Sequence, residues 1–361
     1  MNSHNKVFEK LNDLGIKTYY SGSCIYYKVL SMPIDYYDVL IVNDTNVSTH
    51  EHLEKVLGKN YPKLITINKE NHKFIDCGND LYGYLTSRDF SIDSIAVGTL
   101  NSEIHDPMRG LSDIRQRLIK INDRKLFLSN PELMLRAVSL ASQLGFVLNT
   151  DTWILIYDYA SLVQSVSPEY IRDELIKIVM SEKPSAGIKM LKDSGLLEYI
   201  IPKLHFSDSV VQSKRDGVTN VFDHTMYALD NTPTDLAIRL TILFHDIGKA
   251  DTMQITSSGQ IHFFGHEVAG AEIARKTLTD LKFNPELVDK VSHLVKHHMF
   301  DIDPKMTSRG VRRLIKRVGA EHIWDLLKVR EADRQGSPNK ISMKKVINLK
   351  RKIRKELEDW T

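Results

Sequence analysis

The stretch Ile242-Leu243-Phe244-His245-Asp246-Ile247-Gly248-Lys249 decides how this chain is read. Three apolar residues run straight into a histidine–aspartate pair, and a glycine and a lysine follow. The apolar run predicts a buried helix, because a helix hydrophobic all round belongs in a core. Adjacent helical residues lie about 100° apart, so His245 and Asp246 can converge on one point beside the helix. Lys249 is one turn further on and shares their face. Taken alone, the pair is equally well a salt-bridged core dyad, and only partners elsewhere in the chain separate the two readings.

Working outward, His224 sits at the start of one amphipathic segment, in Phe222-Asp223-His224-Thr225, and Asp333 near the end of another, in Arg330-Glu331-Ala332-Asp333-Arg334. With His245 and Asp246 these make two imidazoles and two carboxylates. Such a mixed nitrogen and oxygen set suits Mn, Fe, Co, Ni or Mg ions better than a thiolate-loving metal. His266 and His298, with Glu267 nearby, supply a second set that shares Asp246. One or two ions are therefore expected. Two ions roughly 3.5–4 Å apart clamp both the attacking and the leaving oxygen of a phosphoryl ester. A surface position is the alternative for His266 and the favoured reading for His293 and His297.

A chain of 361 residues is too long for one ordinary core and implies two or three domains. At 42% hydrophobic and 26% charged it has the composition of a soluble globular protein. No apolar stretch reaches the ~20 residues needed to span a bilayer, and the first residues lack the apolar core of a signal peptide. Cys24 and Cys77, the only cysteines, have no metal-site spacing, so a reduced, cytoplasmic setting without membrane contact is expected. A net charge of +3 is too small to imply nucleic-acid binding by itself.

The pattern along the chain predicts an α+β protein. Residues 1–120 read as a small α/β head: a helix over Lys6–Leu14, then strands over Lys17–Tyr20, Tyr36–Val42 and Leu64–Ile67. Residues 121–204 read as a helical neck, and 205–361 as an all-helical domain, with a polar stretch at Pro202–Asp216 between them. Helices are predicted at Pro168–Met180, Ala186–Ser194, Val221–Asn231, Asp235–Phe244, Glu267–Leu281, Pro285–His298, Ser308–Val318 and His322–Asp333. The tail carries Lys340, Lys344, Lys345, Lys350, Arg351, Lys352, Arg354 and Lys355. A solvated helix face is the first reading of that run, and contact with RNA phosphates the second.

The phrase His245-Asp246-Ile247-Gly248-Lys249, with His224 and Asp333, resembles the HD superfamily of metal-dependent phosphohydrolases. The resemblance implies an all-helical fold, divalent metal and hydrolysis of phosphoesters. It carries the ligands onto His224, His245, Asp246 and Asp333, and the extra ligands of two-metal members onto His266 and His298. Asp246 and Lys249 are then the catalytic residues: water at the metal is deprotonated near neutral pH, and Lys249 steadies the phosphoryl oxygens, with Arg334 a weaker phosphate contact.

The first half resembles another family. Arg88-Asp89-Phe90-Ser91-Ile92-Asp93-Ser94-Ile95 is similar to the Arg-Asp-Phe-Thr-Ile-Asn-Ala-Leu segment of bacterial tRNA nucleotidyltransferases and poly(A) polymerases, with Asp106, Gly110 and Asp113 following. Leu135-Arg136-Ala137-Val138 and Pro168-Glu169-Tyr170 extend the likeness across the chain. That family holds Mg²⁺ on a strand with an Asp-x-Asp pair, since residues i and i+2 share a strand face. Here the stretch is Asp35-Tyr36-Tyr37-Asp38, which places Tyr37 at the second carboxylate and turns Asp38 to the opposite face unless a bulge re-aims it. The family's glycine-rich phosphate loop is reduced to Ser21-Gly22-Ser23, without its arginine. The family's base-reading Glu-Asp-x-x-Arg corresponds to Ser129–Leu133, with Asn130 and Leu133 at its Asp and Arg, and Tyr170 stands for a further arginine. Gly22, Asp35, Asp38, Arg88 and Asp89 thus outline a degenerate polymerase site.

The expectation is an HD phosphohydrolase acting on nucleotides or RNA 3′ ends, its inactive head positioning substrate, tRNA included. A nucleotidyltransferase that adds C or A to tRNA is the alternative, and a tRNA-binding protein without turnover the third reading.

Overall fold

Val39, Leu40, Ile41 and Val42 are all buried, and a continuous apolar, mostly β-branched run of that kind forms a strand covered on both faces. A computed structural model of the chain describes residues 3–45, 48–57, 64–67, 70–211, 220–300, 306–335 and 343–358. These form two compact units: Met1–Leu133 with Phe146–Leu155, and Met134–Gly145 with Ile156–Thr361.

The first unit is built on a six-stranded sheet of order β3-β4-β2-β1-β5-β6. Its strands are β1 (Ile16–Ser21), β2 (Tyr37–Asn43), β3 (Leu64–Ile67), β4 (Glu70–Asp76), β5 (Ala96–Gly98) and β6 (Ile104–His105). β2 runs antiparallel to β1 and parallel to β4, with Ser21 opposite Asp38 and Asp38 opposite Lys73. Helices α1 (Ser3–Asp13), α2 (Ser23–Val29), α3 (Thr49–Leu57) and α4 (Leu81–Thr86) accompany the sheet. One face packs Ile41 with Leu11, Ile16 and Leu53. The other packs Leu40 and Val42 with Tyr19, Leu85 and Ala96.

The second unit is helical apart from a hairpin of two-residue strands, Gln254–Ile255 and Ile261–His262. Its helices include α5 (Val221–Asp230), α6 (Leu236–Phe244), α7 (His266–Asp280), α8 (Pro285–His297), α9 (Ser308–Val318), α10 (Ile323–Gln335) and α11 (Met343–Glu358). Asp235 caps α6 by accepting from the Ile238 amide at 3.0 Å, and Asn220 caps α5 by accepting from Asp223 at 2.7 Å. Every residue of α6 from Ala237 to Phe244 is buried, as its apolar run requires.

The mixed α+β class agrees with the sequence. The head elements that the sequence reading did not give are β4, whose buried residue is His72, the edge strands β5 and β6, and the helices α2, α3 and α4. Lys340 and residues 212–216 of the Pro202–Asp216 stretch lie outside the described residues.

Candidate functional site

In the helical unit, α6 ends at His245, and the chain continues in helical geometry so that Asp246 follows on the same side. The His245 imidazole donates from Nδ1 to the Ile242 carbonyl at 2.7 Å, which turns Nε2 inward. His224, from α5, sets its Nε2 3.2 Å from His245 Nε2 and 3.0 Å from Asp333 Oδ1 of α10. Asp246 Oδ2 lies 3.2 Å from His245 Nε2 and 3.5 Å from His224 Nε2. Its other oxygen, Oδ1, faces His266 Nε2 at 3.5 Å and His298 Nε2 at 3.7 Å. His266 and His298 donate from Nδ1 to the carbonyls of Phe263 (2.8 Å) and Val295 (2.7 Å), so each aims Nε2 at Asp246.

Two buried ligand triads result, His224–His245–Asp333 and Asp246–His266–His298, with Asp246 between them. Burial by itself would raise the Asp246 carboxyl, but His245 and Lys249 outweigh it and hold it well below the usual carboxylate range. Burial would likewise raise Asp333, and hydrogen bonds from His224 and His245 with the Arg330 charge reverse that. Burial pushes the His298 imidazole down, which favours the neutral ring that ligates metal. The buried Nε2 atoms of His266 and His298 have no hydrogen-bond partner among the described residues. Orphaned imidazole nitrogens around a carboxylate fit a divalent ion well, since an unpartnered buried polar atom otherwise carries its desolvation cost uncompensated.

The structure therefore brings together all six residues that the sequence nominated as ligands. Lys249 is buried and pairs with Asp246 Oδ2 at 2.6 Å, beneath the Phe263 ring. Arg334 is half-buried, with no hydrogen-bond partner at Nε among the described residues. Arg330 was missed: it holds Asp333 Oδ2 at 2.6 Å, and its position three residues earlier on α10 was the available signal. His293 and His297 meet edge to face with ring centroids 4.6 Å apart, and His293 donates to the Val318 carbonyl, outside both triads.

In the head, the strand register corrects the frame read from the sequence. β1 and β2 pair regularly from Ile16–Asn43 to Ser21–Asp38, with no bulge. Asp38 therefore shares a face with Leu40 and Val42, while Tyr37 turns to the other face and stacks on His72 at 5.2 Å. The position two before Asp38 on its own face is Tyr36, so Tyr36, not Tyr37, stands where the family has a carboxylate. Asp35 precedes the strand and is exposed.

Asp38 faces Gly22, whose φ is +66° and where a Cβ would stand 3.0 Å from Asp38 Oδ2. Asp38 Oδ1 is buried without a hydrogen-bond partner among the described residues. Burial pushes the Asp38 carboxyl up, Lys73 and Arg88 pull it down, and Asp93 pushes it up again. The orphaned oxygen and the tight glycine cradle fit the divalent ion that the polymerase fold employs. Arg88 lies over the Tyr84 ring at 5.6 Å, and the Asp89 carbonyl accepts from the Asn122 amide at 3.0 Å. Asp106 accepts from the amides of Gly110 and Leu111, and Ser91 donates to Asp113 at 2.6 Å, so these family-like residues brace the Arg88–Ile95 segment.

Comparison with known proteins matches residues 145–207 to the "Probable RNA and SrmB- binding site of polymerase A" and residues 221–337 to the HD domain. The chain is 28% identical over 286 residues to the A-adding tRNA nucleotidyltransferase of Deinococcus radiodurans, covering 76% of this chain and 64% of that protein. The chain is thus similar to tRNA nucleotidyltransferases and matches the HD domain over its C-terminal part. It is also 30% identical over 236 residues to the CC-adding tRNA nucleotidyltransferase of Thermus thermophilus, covering 62% of this chain and 53% of the relative. The chain thus spans between about half and just under two thirds of the length of these two relatives. The Bacillus stearothermophilus CCA-adding enzyme in complex with CTP shares the fold, with a TM-score of 0.68 at 19% identity, over 98% of this chain and 82% of that one.

These findings overturn the expectation of an HD phosphohydrolase with a dead head. The matching relatives are named for adding nucleotides to tRNA, and the likeness runs through the head as well as the HD domain. The physical reason for the error is the strand frame. With Asp38 placed on the wrong face, the head appeared to keep only Asp35 of the carboxylate pair, and that residue precedes the strand. The hydrolytic roles given to Asp246 and Lys249 fall with that expectation.

Proposed function

We propose that this protein is a template-independent nucleotidyltransferase that extends the 3′ end of RNA, with tRNA as acceptor and CTP or ATP as donor. The observation that carries the reading is Asp38. A strand carboxylate with an orphaned oxygen faces the Gly22 turn, with Arg88 and Lys73 close enough to act on its charge. The likeness to tRNA nucleotidyltransferases and the CTP- and tRNA-related names of these relatives support the same reading.

In the reaction the acceptor's 3′ oxygen bonds to the α-phosphorus of the nucleotide, and pyrophosphate leaves. A divalent ion at Asp38 supplies charge neutralisation when bound. Asp38 holds its carboxylate at the site, and Arg88 and Lys73 offer positive charge to triphosphate oxygens, where developing negative charge is stabilised. Asn130 and Leu133 stand where the family's base-reading segment has Asp and Arg, so the choice between C and A is set by other contacts. In the HD domain, His224, His245, Asp246 and Asp333 hold one divalent ion of the Mn, Ni, Co, Fe or Mg group, and Asp246, His266 and His298 a second.

Tyr36 in place of a carboxylate favours one competing reading, a tRNA-binding protein without turnover. Incubating the protein with tRNA lacking its terminal CCA, labelled CTP or ATP, and Mg²⁺ or Mn²⁺ separates them. Incorporation abolished by Asp38→Asn supports the transferase. Tight tRNA binding with no incorporation under either ion would favour the binding protein.

A further inference from the structure

The first unit holds a cavity that includes none of the residues placed so far in the Asp38 site or the HD centre. Its volume is about 460 Å³, and it lies between the segment Lys120–Arg124 and the start of the helix Thr150–Tyr159. That size falls in the range of small-molecule sites. Two short strands bring its walls together: Leu118–Ile119 pairs parallel with Val147–Leu148. The Ile121 amide then donates to Thr152 Oγ1 at 3.1 Å, which fixes the segment against the helix. Asn122 donates from Nδ2 to the Arg88 carbonyl at 2.6 Å and to Ser94 Oγ at 2.7 Å. Its Oδ1 is buried with no hydrogen-bond partner among the described residues, so the lining keeps an unsatisfied acceptor.

The lining divides by chemistry. Lys120 and Arg124 are exposed cations, and neither forms an ion pair among the described residues. Asp151 is an exposed carboxylate, also without an ion pair among them. Ile154, 49% exposed, and the buried Ile121 and Leu155 make an apolar wall. A bare anion would use the two cations and be repelled by Asp151. A wholly apolar ligand would take three charges out of water with nothing to pair them. A ribonucleotide matches every part. Its phosphate accepts charge-assisted bonds from Lys and Arg, its ribose hydroxyls donate to a carboxylate, and its base presents a flat apolar face.

We propose that this cavity binds one ribonucleotide unit, with its phosphate on Lys120 and Arg124, its ribose on Asp151 and its base against Ile154 and Leu155. A free nucleotide and a residue of an RNA chain offer the same chemistry. The site is separate from Asp38, so it stands or falls independently of the nucleotidyltransferase reading.

Photolabelling of the full-length protein tests it. One probe is 8-azido-AMP, which has no pyrophosphate to lose and so cannot be incorporated. The other is tRNA lacking its CCA end and transcribed with 4-thiouridine. Adducts are located by peptide mass spectrometry and are expected within residues 118–128 or 149–155. Labelling by 8-azido-AMP marks a free nucleotide as the occupant, and labelling by the tRNA alone marks an RNA residue. Lys120→Glu/Arg124→Glu should cut labelling there roughly tenfold or more, the loss of two phosphate contacts. Ile154→Asp should do the same from the apolar side, while Lys120→Arg/Arg124→Lys should retain it. These side chains are exposed, and circular dichroism confirms that each variant is folded. Absence of adducts in both segments with both probes overturns the proposal, as does labelling that neither the charge reversal nor Ile154→Asp reduces. Inorganic phosphate that displaces 8-azido-AMP as effectively as AMP does also overturns it, because the cavity then holds an anion and reads no nucleotide. Incorporation of CTP or ATP is assayed separately, and its presence or absence bears on the transferase reading alone.

Discussion

Gly248 has no room for a side chain. A Cβ there would lie 2.3 Å from the His266 carbonyl oxygen and 2.6 Å from the Gly270 amide nitrogen. These are backbone atoms, so the neighbour cannot simply rotate away. The close approach lets the segment after Asp246 pass the start of α7 and brings His266 to face Asp246. Gly248→Ala should therefore cost about 1–3 kcal/mol, as overpacking typically does, and loosen the second triad with it. Urea unfolding and metal analysis of the purified variant check both, and an unchanged midpoint with full metal content would refute it. Cys24 offers a second residue-level expectation. Burial pushes its thiol up to about 12, so at pH 8 almost none is thiolate, the reactive form. Alkylation by iodoacetamide should leave Cys24 unmodified in native protein and modify it in guanidinium, read by peptide mass spectrometry.

At the level of elements, α9 and α11 pack their apolar faces together and turn their charges outward. Val311, Leu314, Ile315 and Val318 are buried on α9, and Val346, Leu349 and Ile353 on α11. Arg309, Arg313, Lys316 and Arg317 on α9, and Lys345, Arg351, Arg354 and Lys355 on α11, are exposed. Some neighbouring charge is internally matched: Arg312 pairs with Glu356 at 2.5 Å and Lys350 with Glu331 at 2.6 Å. The remaining cations outnumber nearby acids, which suits a phosphodiester backbone. Arg313→Glu/Lys316→Glu/Arg317→Glu should weaken tRNA binding and flatten its dependence on log salt, by roughly 0.7–0.9 for each phosphate no longer neutralised. Filter binding from 50 to 300 mM KCl measures it. An unaltered slope would return the patch to a solvated face. Helices were the elements most readable in advance, because α5 to α10 carry 3.6-residue periodicity, capping residues or proline at their starts. β4 was not readable. Its sequence, Glu70-Asn71-His72-Lys73-Phe74-Ile75-Asp76, alternates weakly, and its buried residue is a histidine that only tertiary packing makes intelligible.

Across the whole molecule, the two candidate sites differ in how far sequence could reach them. The HD ligands lie on five helices and their ends, up to 109 residues apart, yet His245-Asp246 and their spacing to Gly248 and Lys249 announced them. The head site depended on strand register, which no local pattern encodes. A one-residue error in reading Asp35–Asp38 exchanged the two faces of β2 and hid Asp38. The division into two compact units gives a last expectation. All six imidazole and carboxylate ligands of the HD centre belong to the second unit, so an ion bound there stabilises that unit alone. Mn²⁺ at 100 times its dissociation constant adds about 2.7 kcal/mol to the state that binds it, enough to raise the melting temperature of a domain this size by roughly 5–10 °C. Calorimetry of the wild-type protein should show two transitions that respond differently to Mn²⁺. His245→Ala/Asp246→Ala should abolish the larger shift and leave the other transition in place. A single transition that moves as one, or two that shift equally in the variant, would contradict separate units. Asp38→Asn should do the reverse, lowering only the Mn²⁺ response of the transition that the HD variant spares. Reciprocal loss of this kind assigns each ion to its own unit, since each variant removes ligands that only one of the two units contains.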